Sequence, residues 1–590
     1  MTQENFIMHN PLTFNLMDLH GKTTTPLEVI NFLTNQNSGE LDAGNFTEFL
    51  KFAPEKQRKG MVETFGMESY ATNYIGNQMA KLKPDSRIIL SDGKRKSLDE
   101  IILENGNPKA VFMTSMSSNF PTTVATAIAL NHAKIPVVIG GIHASTSPND
   151  VETFIKKYAP HPELISQVRG AGDSKILKEV MDDIDNSTLK PEYIGYETME
   201  DGVWGATNIE EMEPMKMDLL SRIPGIGMIL GEKFKINPIT PYLGCPFSCN
   251  FCSISTLPKS QRKFQSRSPE DFVDELKTYQ EDGVNFGNRF FFFLPDNLLL
   301  GGKTLDKILD NIIESDLEIN YAAQISIDVA NNGGLMKKLR QSGATHFFIG
   351  MESLSLDNLK YIGKNAVKDI EKRDLTVEAY YKEQIEKIQY HGISVHGAFI
   401  LGLPFDYYHS PDDHTGVEIA NFCIENNIGL QPCSLTDLPG SKNFEETQIN
   451  NTHIYGAQGT MDYLTSLCIA DLTETNKLPP KSLRESPLTV AYMAYDAVER
   501  ACSTSVALSN GLFMAKKSWQ HPTRRTTIKE KIMDAACAFS SQLIVSQYKD
   551  HGDAVAYSKP EYRGSFERLY DIEQNQIVKE EFKDFVDRFR

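Results

Sequence analysis

The stretch Tyr242-Leu243-Gly244-Cys245-Pro246-Phe247-Ser248-Cys249-Asn250-Phe251-Cys252 places three cysteines within eight residues, with the spacing C-x3-C-x2-C. Thiolates are soft ligands that favour zinc, copper(I) or iron–sulfur clusters. A four-iron cluster held by protein alone takes four cysteines, and this loop has no fourth cysteine nearby. Because three thiolates leave one iron open for a substrate or cosubstrate, the spacing favours a catalytic cluster over an electron carrier.

Two alternative interpretations of these cysteines are a structural zinc site and buried structural cysteines. A structural zinc site usually pairs two C-x2-C or H-x3-H arms, and a buried structural cysteine belongs in an apolar core. The loop carries Gly244 and Pro246, which is a poor core pattern. The remaining cysteines are all isolated and form no second arm: Cys423, Cys433, Cys468, Cys502 and Cys537. The pattern therefore favours an iron–sulfur cluster.

The spacing resembles the signature of the radical S-adenosylmethionine (SAM) superfamily. That resemblance implies a [4Fe-4S] cluster on Cys245, Cys249 and Cys252, with the open iron holding the amino and carboxylate groups of SAM. In the family, an electron from the cluster cleaves SAM to a 5′-deoxyadenosyl radical. Phe251 matches the aromatic residue that usually packs near the adenine.

Residues 236–450 repeat one order of elements: apolar strand, polar loop, amphipathic helix, glycine, next strand. In the first unit, Pro269 stands at the first helical position, Gly283 ends the helix, and Phe290-Phe-Phe-Phe-Leu294 reads as a buried strand. Alternating strands and helices predict βαβ units with a parallel sheet. As in radical SAM enzymes, we expect a partial (β/α)6 TIM-like barrel, with functional loops at the carboxyl ends of its strands.

Polar residues and a glycine follow these predicted strands: Asp296, Asn297, Glu352, Ser353 and Gly402. The resemblance implies that they hold the amino group, ribose and adenine of SAM. The second-strand motif departs from the usual Gly-Gly-Glu, since it reads Leu294-Pro295-Asp296-Asn297. That departure leaves the amino-group ligand open. Helix capping or a loop hydrogen bond is the alternative role for each polar residue.

Residues 108–180 predict a second α/β unit. Ala110-Val-Phe-Met-Thr114 is an apolar strand, a helix follows, and Ile135-Pro-Val-Val-Ile139 is the next strand. Glycines then stand where the backbone must approach a ligand closely. This order, just ahead of a radical SAM core, resembles the cobalamin-binding domain of class B radical SAM enzymes. The resemblance places near the corrin or its nucleotide tail Ser115, Met116, Gly140, Gly141, His143, Ala144, Gly170 and Gly172.

One feature of many cobalamin proteins is missing. The motif Asp-x-His-x-x-Gly, whose histidine binds cobalt, does not occur; the nearest string, Asp18-Leu-His20-Gly21, has the wrong spacing. Radical SAM relatives often lack that histidine, so the lower axial face of cobalt stays unassigned. His143 is expected to act through its backbone rather than as a metal ligand. A Rossmann-like domain that keeps its glycines for tight turns is the alternative.

Length and pattern divide the chain into four parts: a doubly wound α/β domain over residues 1–185, a connector over 186–235, the barrel over 236–450 and a mostly helical domain over 451–590. The basic segment between Lys516 and Lys531 could steer an anionic substrate, or could be a solvated face. The dispersed late cysteines predict no auxiliary cluster. The net charge of -18 disfavours general nucleic-acid binding.

No apolar run approaches membrane-spanning length, and the amino terminus has no secretory pattern. Scattered cysteines and an oxygen-sensitive cluster predict a cytoplasmic location. We expect a cobalamin-dependent methyltransferase that acts on an unactivated carbon of a small molecule or peptide, with flavodoxin or ferredoxin as the electron donor. A radical cyclase or rearrangement enzyme is the alternative among enzymes. An iron–sulfur electron-transfer or sensor protein is the alternative from another class.

Overall fold

The computed structural model describes residues 4–9, 70–91, 98–116, 120–156, 159–170, 174–195, 236–252, 254, 264–281, 290–315, 317–410, 412–435, 441–442 and 493–521 (without 495 and 499), and the single positions 528, 531 and 535. Two six-stranded parallel sheets organise these residues. The first sheet lies in the predicted α/β domain and the second in the predicted barrel.

The first sheet has the strand order β2-β1-β3-β4-β5-β6. Strand β2 is added on one side of β1, and strands β3 to β6 are added in order on its other side. This order confirms the predicted doubly wound arrangement. This is the flavodoxin-type order, whose ligands bind where the direction of winding reverses. Its strands are β1 (Asn5–His9), β2 (Arg87–Ser91), β3 (Ala110–Thr114), β4 (Val137–Gly140), β5 (Ile165–Gly170) and β6 (Glu192–Gly195).

Two apolar clusters, one on each face of this sheet, form its core. Strand β3 is apolar along most of its length and its first four residues are buried, as expected for a parallel strand covered on both faces. Strand β6 lies beyond the domain boundary predicted at residue 185, and residues 196–235 of the predicted connector lie outside the described part. The helices of this domain are Tyr70–Leu82, Leu98–Asn105, Phe120–His132, Ile142–Thr146, Pro148–Asp150, the π-helix Val151–Lys156, the 3-10 turn Pro162–Leu164 and Ser174–Asn186.

The second sheet keeps its strands in chain order, with every pairing parallel. This arrangement agrees with the predicted six-stranded partial barrel. Its strands are β7 (Ile236–Ile239), β10 (Phe290–Phe293), β11 (Asn320–Gln324), β12 (Ala344–Glu352), β13 (Ser394–Leu401) and β16 (Gly429–Ser434). Two short antiparallel ribbons accompany it: β8 (Tyr242–Leu243) with β9 (Gln265–Ser266), and β14 (Tyr408–Ser410) with β15 (Asp413–His414).

Local sequence signals set the helix ends around this sheet. The Ser268 hydroxyl accepts a hydrogen bond from the Asp271 amide at 3.1 Å, and Pro269 begins the helix as predicted. Gly343 ends another helix in the left-handed conformation at φ 115°, where glycine carries no Cβ penalty. The helices are Pro269–Glu281, Leu298–Gly301 (3-10), Gly302–Glu314, Ile327–Asn331 (3-10), Gly333–Ser342, Leu356–Tyr361, Ala366–Lys372, Val377–Tyr390 and Thr415–Glu425.

One helix from the predicted C-terminal domain, Thr504–Gln520, packs against the barrel. The buried Arg340 guanidinium donates to the Ser518 hydroxyl at 2.7 Å and to the His521 carbonyl at 2.9 Å. These bonds fix the end of that helix to the outside of the sheet. No helix in the described part of the chain is both long and apolar enough to cross a bilayer.

Candidate functional site

A cavity of about 960 Å³ opens at the carboxyl ends of the barrel strands. Side chains from β10, β11, β12, β13 and β16 line it together with the cysteine loop, so the sheet curves around it. Five of the predicted SAM-site and cluster positions that line it carry ionisable side chains: Cys245, Cys249, Cys252, Asp296 and Glu352. Phe251 and Asn297 also line it, whereas Ser353 and Gly402 do not.

The cysteine loop leaves the sheet through a tight turn. Gly244 has φ 98°, which a residue with a Cβ rarely adopts, and the Cys252 amide donates to the Cys249 carbonyl at 3.2 Å. The Asn250 side-chain amide donates to the Tyr361 carbonyl at 3.3 Å and ties the loop to the far wall of the cavity. The loop is thereby held from both ends with its three thiols on one wall.

The three cysteines are half-buried and unbridged. Burial raises the pKa of the Cys249 thiol, and the nearby Lys364 ammonium opposes that rise. Among the described residues, no three His, Cys, Asp or Glu side chains form the arrangement of a single-ion metal site. The donor set fits a cluster better than one ion, because all the grouped ligands here are thiolates and only three are present.

Asn297 joins two loops at the cavity mouth. Its carbonyl oxygen accepts from the Leu299 amide at 3.1 Å and from the Ser326 amide at 3.2 Å, while its amide donates to the Ser326 hydroxyl at 2.5 Å. Asn297 therefore caps the 3-10 helix Leu298–Gly301, which is the alternative role that the sequence left open. Its neighbour Asp296 faces the cavity mouth, where the surrounding protein raises the pKa of its carboxyl group.

Glu352 and Lys364 form an ion pair inside the cavity, with 2.9 Å between Oε1 and Nζ. Glu352 has φ 66°, an unfavourable conformation for a non-glycine residue that costs about 1–3 kcal/mol. Gly350 makes room for it, because a Cβ there would stand 2.3 Å from the Glu352 carboxylate. The strand end is therefore shaped to turn this carboxylate into the cavity. Lys364 was not identified from the sequence, since it lies in the loop between two helices and belongs to no motif.

Ser353 and Gly402 belong to a buried hydrogen-bond network beside the cavity. The Asn358 side-chain amide donates to Ser353 Oγ at 3.2 Å and to Asp406 Oδ1 at 2.8 Å. Asp406 Oδ2 accepts from the amides of Gly402 and Leu403 at 2.8 and 2.9 Å. Burial raises the Asp406 pKa to about 7, although these donors favour its ionised form. The network ties the ends of β12 and β13 together, so both residues act here as supports.

A ring of aromatic side chains lies deeper in the cavity. His346 and Phe348 of β12 stand beside His396 of β13 and Phe292 of β10, with ring centroids 4.7–5.8 Å apart in the contacting pairs. Sequence analysis did not single out His346. The alternation His346-Phe-Phe348-Ile-Gly350 was the available signal, because period two points every second side chain to one face of a strand.

The predicted cobalamin residues meet at the carboxyl edge of the first sheet. Gly141 has φ 100°, and a Cβ there would lie 2.4 Å from the Ser115 carbonyl oxygen, so only glycine fits. The Ser145 hydroxyl donates to the Gly141 carbonyl and accepts from the Gly170 amide, both at 2.9 Å. Gly140 ends β4 beside them, and Met116 is 49% exposed at this edge.

His143 and Ala144 are fully buried below that edge. The His143 amide donates to the Ser115 carbonyl at 3.1 Å. Its ring stacks against Phe120 with centroids 3.9 Å apart, and its Nε2 lies 3.1 Å from Asp150 Oδ2. Gly172 lies outside the described residues.

Sequence comparisons agree with this site. Residues 239–414 match the sequence profile of the Radical SAM superfamily, so this part of the chain is a radical SAM domain. The chain is 26% identical over 314 residues to bacteriochlorophyllide d C-8(2)-methyltransferase of Chlorobaculum tepidum, covering 52% of this chain and 62% of that protein. It is 25% identical over 283 residues to the anaerobic magnesium-protoporphyrin IX monomethyl ester cyclase of Rubrivivax gelatinosus, covering 46% of each. These alignments span less than two thirds of either relative.

A solved structure of the radical S-adenosylmethionine methyltransferase TsrM from Kitasatospora setae, with cobalamin and a [4Fe-4S] cluster bound, also aligns with this chain. The TM-score is 0.46 at 13% identity, over 78% of this chain and 76% of that one.

Proposed function

We propose that this protein is a cobalamin-dependent radical SAM methyltransferase that acts on an unactivated carbon. The observation that carries the proposal is a cavity in which three cysteines share the walls with carboxylates that include Asp296 and Glu352, inside a radical SAM domain. When bound, the cluster would supply reductive cleavage of SAM and the cobalamin would supply the methyl group. The relatives named as methyltransferases support this reaction class.

In this proposal Cys245, Cys249 and Cys252 hold the cluster from one wall. Asp296 and Glu352 line the same mouth, and we propose them as acceptors for the ammonium group of SAM. Lys364 balances Glu352, and it also adds positive charge near the thiolates that must bind iron. Phe251 supplies an aromatic surface to the same cavity.

The carboxyl edge of the first sheet fits a large flat cofactor. Gly140 and Gly141 at the end of β4 and Gly170 at the end of β5 bring two strand ends together without side chains, and the exposed Met116 follows β3 beside them. His143 would not ligate cobalt, because its buried ring already lies against Asp150 and Phe120. The buried position of His143 supports a cobalamin whose cobalt is not coordinated by this histidine.

A radical cyclase is the second candidate, and the similarity to the magnesium-protoporphyrin IX monomethyl ester cyclase favours it. It would use the same cluster site without net methyl transfer. For either reaction we propose a reducing cytoplasmic setting and a small electron-transfer protein such as flavodoxin or ferredoxin as partner. A small molecule or peptide is the proposed substrate.

The test begins with anaerobic purification in the presence of cobalamin, followed by iron, sulfide and cobalt analysis. Reductant and SAM are then added and 5′-deoxyadenosine is measured. We expect four irons and one cobalt per chain, with product formed. Cys249→Ser should lose cluster iron and reduce 5′-deoxyadenosine at least about a thousandfold, since one cluster ligand is gone. Cys433→Ser, on β16 outside the loop, is the matched control and should retain both.

Transfer of a labelled methyl group from SAM separates the two candidates. Label that stays on SAM-derived products while 5′-deoxyadenosine accumulates would favour the cyclase. Iron without any SAM cleavage would overturn both and leave an electron-transfer or sensor role. Zinc in place of iron would overturn the cluster assignment itself.

A further inference from the structure

The floor of the barrel cavity contains a polar side chain that none of the described residues satisfies. Both ring nitrogens of His346 lack a hydrogen-bond partner among the described residues, although the side chain is only 2% exposed. Leaving a buried donor or acceptor unpaired costs about 1–3 kcal/mol. His346 also lines the cavity. Its nitrogens are therefore available to whatever enters the barrel.

Charge is distributed unevenly along this cavity. The charged side chains that line it all lie at or beyond the carboxyl ends of strands: Asp296, Asp328, Glu352, Lys364 and Asp369. His346 lies six residues before Glu352 on the same strand, roughly 20 Å deeper at about 3.3 Å per residue. Burial and the neighbouring His396 lower the His346 pKa well below 6.5, so its ring is neutral at pH 7. The floor therefore offers one N–H donor and one acceptor without net charge.

Most of the other residues that line the cavity near His346 are apolar or small, and the polar ones are His396, Gln324 and Gln431. Phe292 and Phe348 give aromatic walls, and Ala322 and Ala398 leave room between them. Ala322 is the strand partner of His346 in the β11–β12 pairing. A guest would therefore pack most of its body against aromatic rings and reach the ring nitrogens of His346 with its tip.

We infer that His346 is a specificity residue for a substrate with an elongated, mainly apolar body and an uncharged hydroxyl or carbonyl at the end that enters the barrel. This inference rests on the proposed function for the chemistry at the cavity mouth. It adds the substrate class, which neither the cysteine loop nor the relatives define. A charged tip is disfavoured because no described side chain at this depth could neutralise it.

The test uses a matched pair of probes, 2-naphthol and 2-methylnaphthalene, which differ by a hydroxyl in place of a methyl group. Binding is measured by calorimetry on the full-length, cluster-containing protein without SAM. We expect 2-naphthol to bind at least about tenfold tighter, the worth of one hydrogen bond of about 1.4 kcal/mol. In His346→Phe the two probes should bind within about threefold of each other.

A second variant keeps the test informative if His346→Phe does not fold. Ala322→Leu fills the space beside His346 and should weaken both probes at least fivefold while leaving their ratio unchanged. Equal binding of the two probes to the unaltered protein would overturn the inference, as would a tenfold ratio that survives His346→Phe. So would unchanged binding in Ala322→Leu, or tight cobalt(II) binding that both His346→Phe and His396→Phe abolish.

The probe measurements need no radical chemistry. A protein that binds the probes as expected yet never cleaves SAM would retain the inference and lose the proposed reaction. A protein that cleaves SAM but binds 2-naphthol and 2-methylnaphthalene equally would support the proposed reaction and overturn the inference about His346.

Discussion

The two parallel sheets of this protein finish their strands in different ways. In the first sheet the strand ends approach closely through glycines, and polar groups such as Ser145 and His143 find partners within the same edge. In the second sheet the ends spread around a cavity with an ion pair at its mouth and an unpaired histidine on its floor. The same alternation of strands and helices thus gives one sheet edge that exposes backbone and one concave site lined by side chains.

That difference predicts which residue types each sheet tolerates. The first edge depends on missing side chains, because backbone atoms occupy the space where a Cβ would stand. The second depends on particular side chains, because its strands are joined by Asn358 and Asp406. Four substitutions can break or sharpen this contrast.

The largest loss of stability is expected from Gly141→Ala. The new Cβ would lie 2.4 Å from the Ser115 carbonyl oxygen at φ 100°, which should destabilise the first sheet by about 3 kcal/mol or more. Hydrogen exchange resolved by peptide should show lost protection in β3 to β5 and little change in β12 and β13. Gly333→Ala, where a Cβ meets nothing within 4 Å, is the control and should change stability by less than about 1 kcal/mol.

Asn358→Ala should be next, with a loss of about 2–3 kcal/mol confined to the second sheet. The change removes hydrogen bonds to Ser353, Asp406 and the Phe405 amide and leaves buried partners unpaired. Urea unfolding of the barrel would measure it. Asn332→Ala, which removes only a helix cap at 3.0 Å, should cost about 1 kcal/mol. Equal losses for the two variants would contradict a supporting network.

Asp150→Ala tests whether the first sheet relies on any side chain. The buried carboxylate lies 3.1 Å from His143 Nε2, so its removal should cost about 1–2 kcal/mol. Asn149→Ala, exposed on the same helix, serves as the control and should be neutral within about 0.5 kcal/mol. Thermal unfolding followed by hydrogen exchange in β4 would compare them. A neutral Asp150→Ala would show that the stability of this edge does not depend on the contact between Asp150 and His143.

The smallest effect concerns acid sensitivity of the second sheet. Burial lowers the His346 and His396 pKa values, the latter to about 4, so the unfolded chain binds protons below pH 6.5 while the folded chain does not. Stability should therefore fall as pH drops from 6.5 toward 4. His346→Phe should reduce that loss by about 1 kcal/mol between pH 6.5 and 5.5, measured by urea unfolding. An identical pH slope in the variant would show that His346 is protonated in the fold.

Much of this architecture was predictable because its signals are local. Pro269 and Gly343 mark helix ends through their own backbone preferences, and buried parallel strands such as Ala110–Thr114 read as apolar runs. The strand order of the first sheet required the structure, since it depends on which crossover each helix takes. The extension of that sheet to β6 was also missed, because Glu192–Gly195 is short and only half apolar.

The sequence by itself determined the cysteine loop, the alternation of strands and helices, and the glycines of the first edge, because each follows from residues adjacent in the chain. The tertiary structure decided which polar groups meet: Lys364 with Glu352, Asn358 with Asp406, and His346 with an open cavity floor. The physical reason is that these encounters depend on strand register and sheet curvature, which bring together residues that no local pattern links.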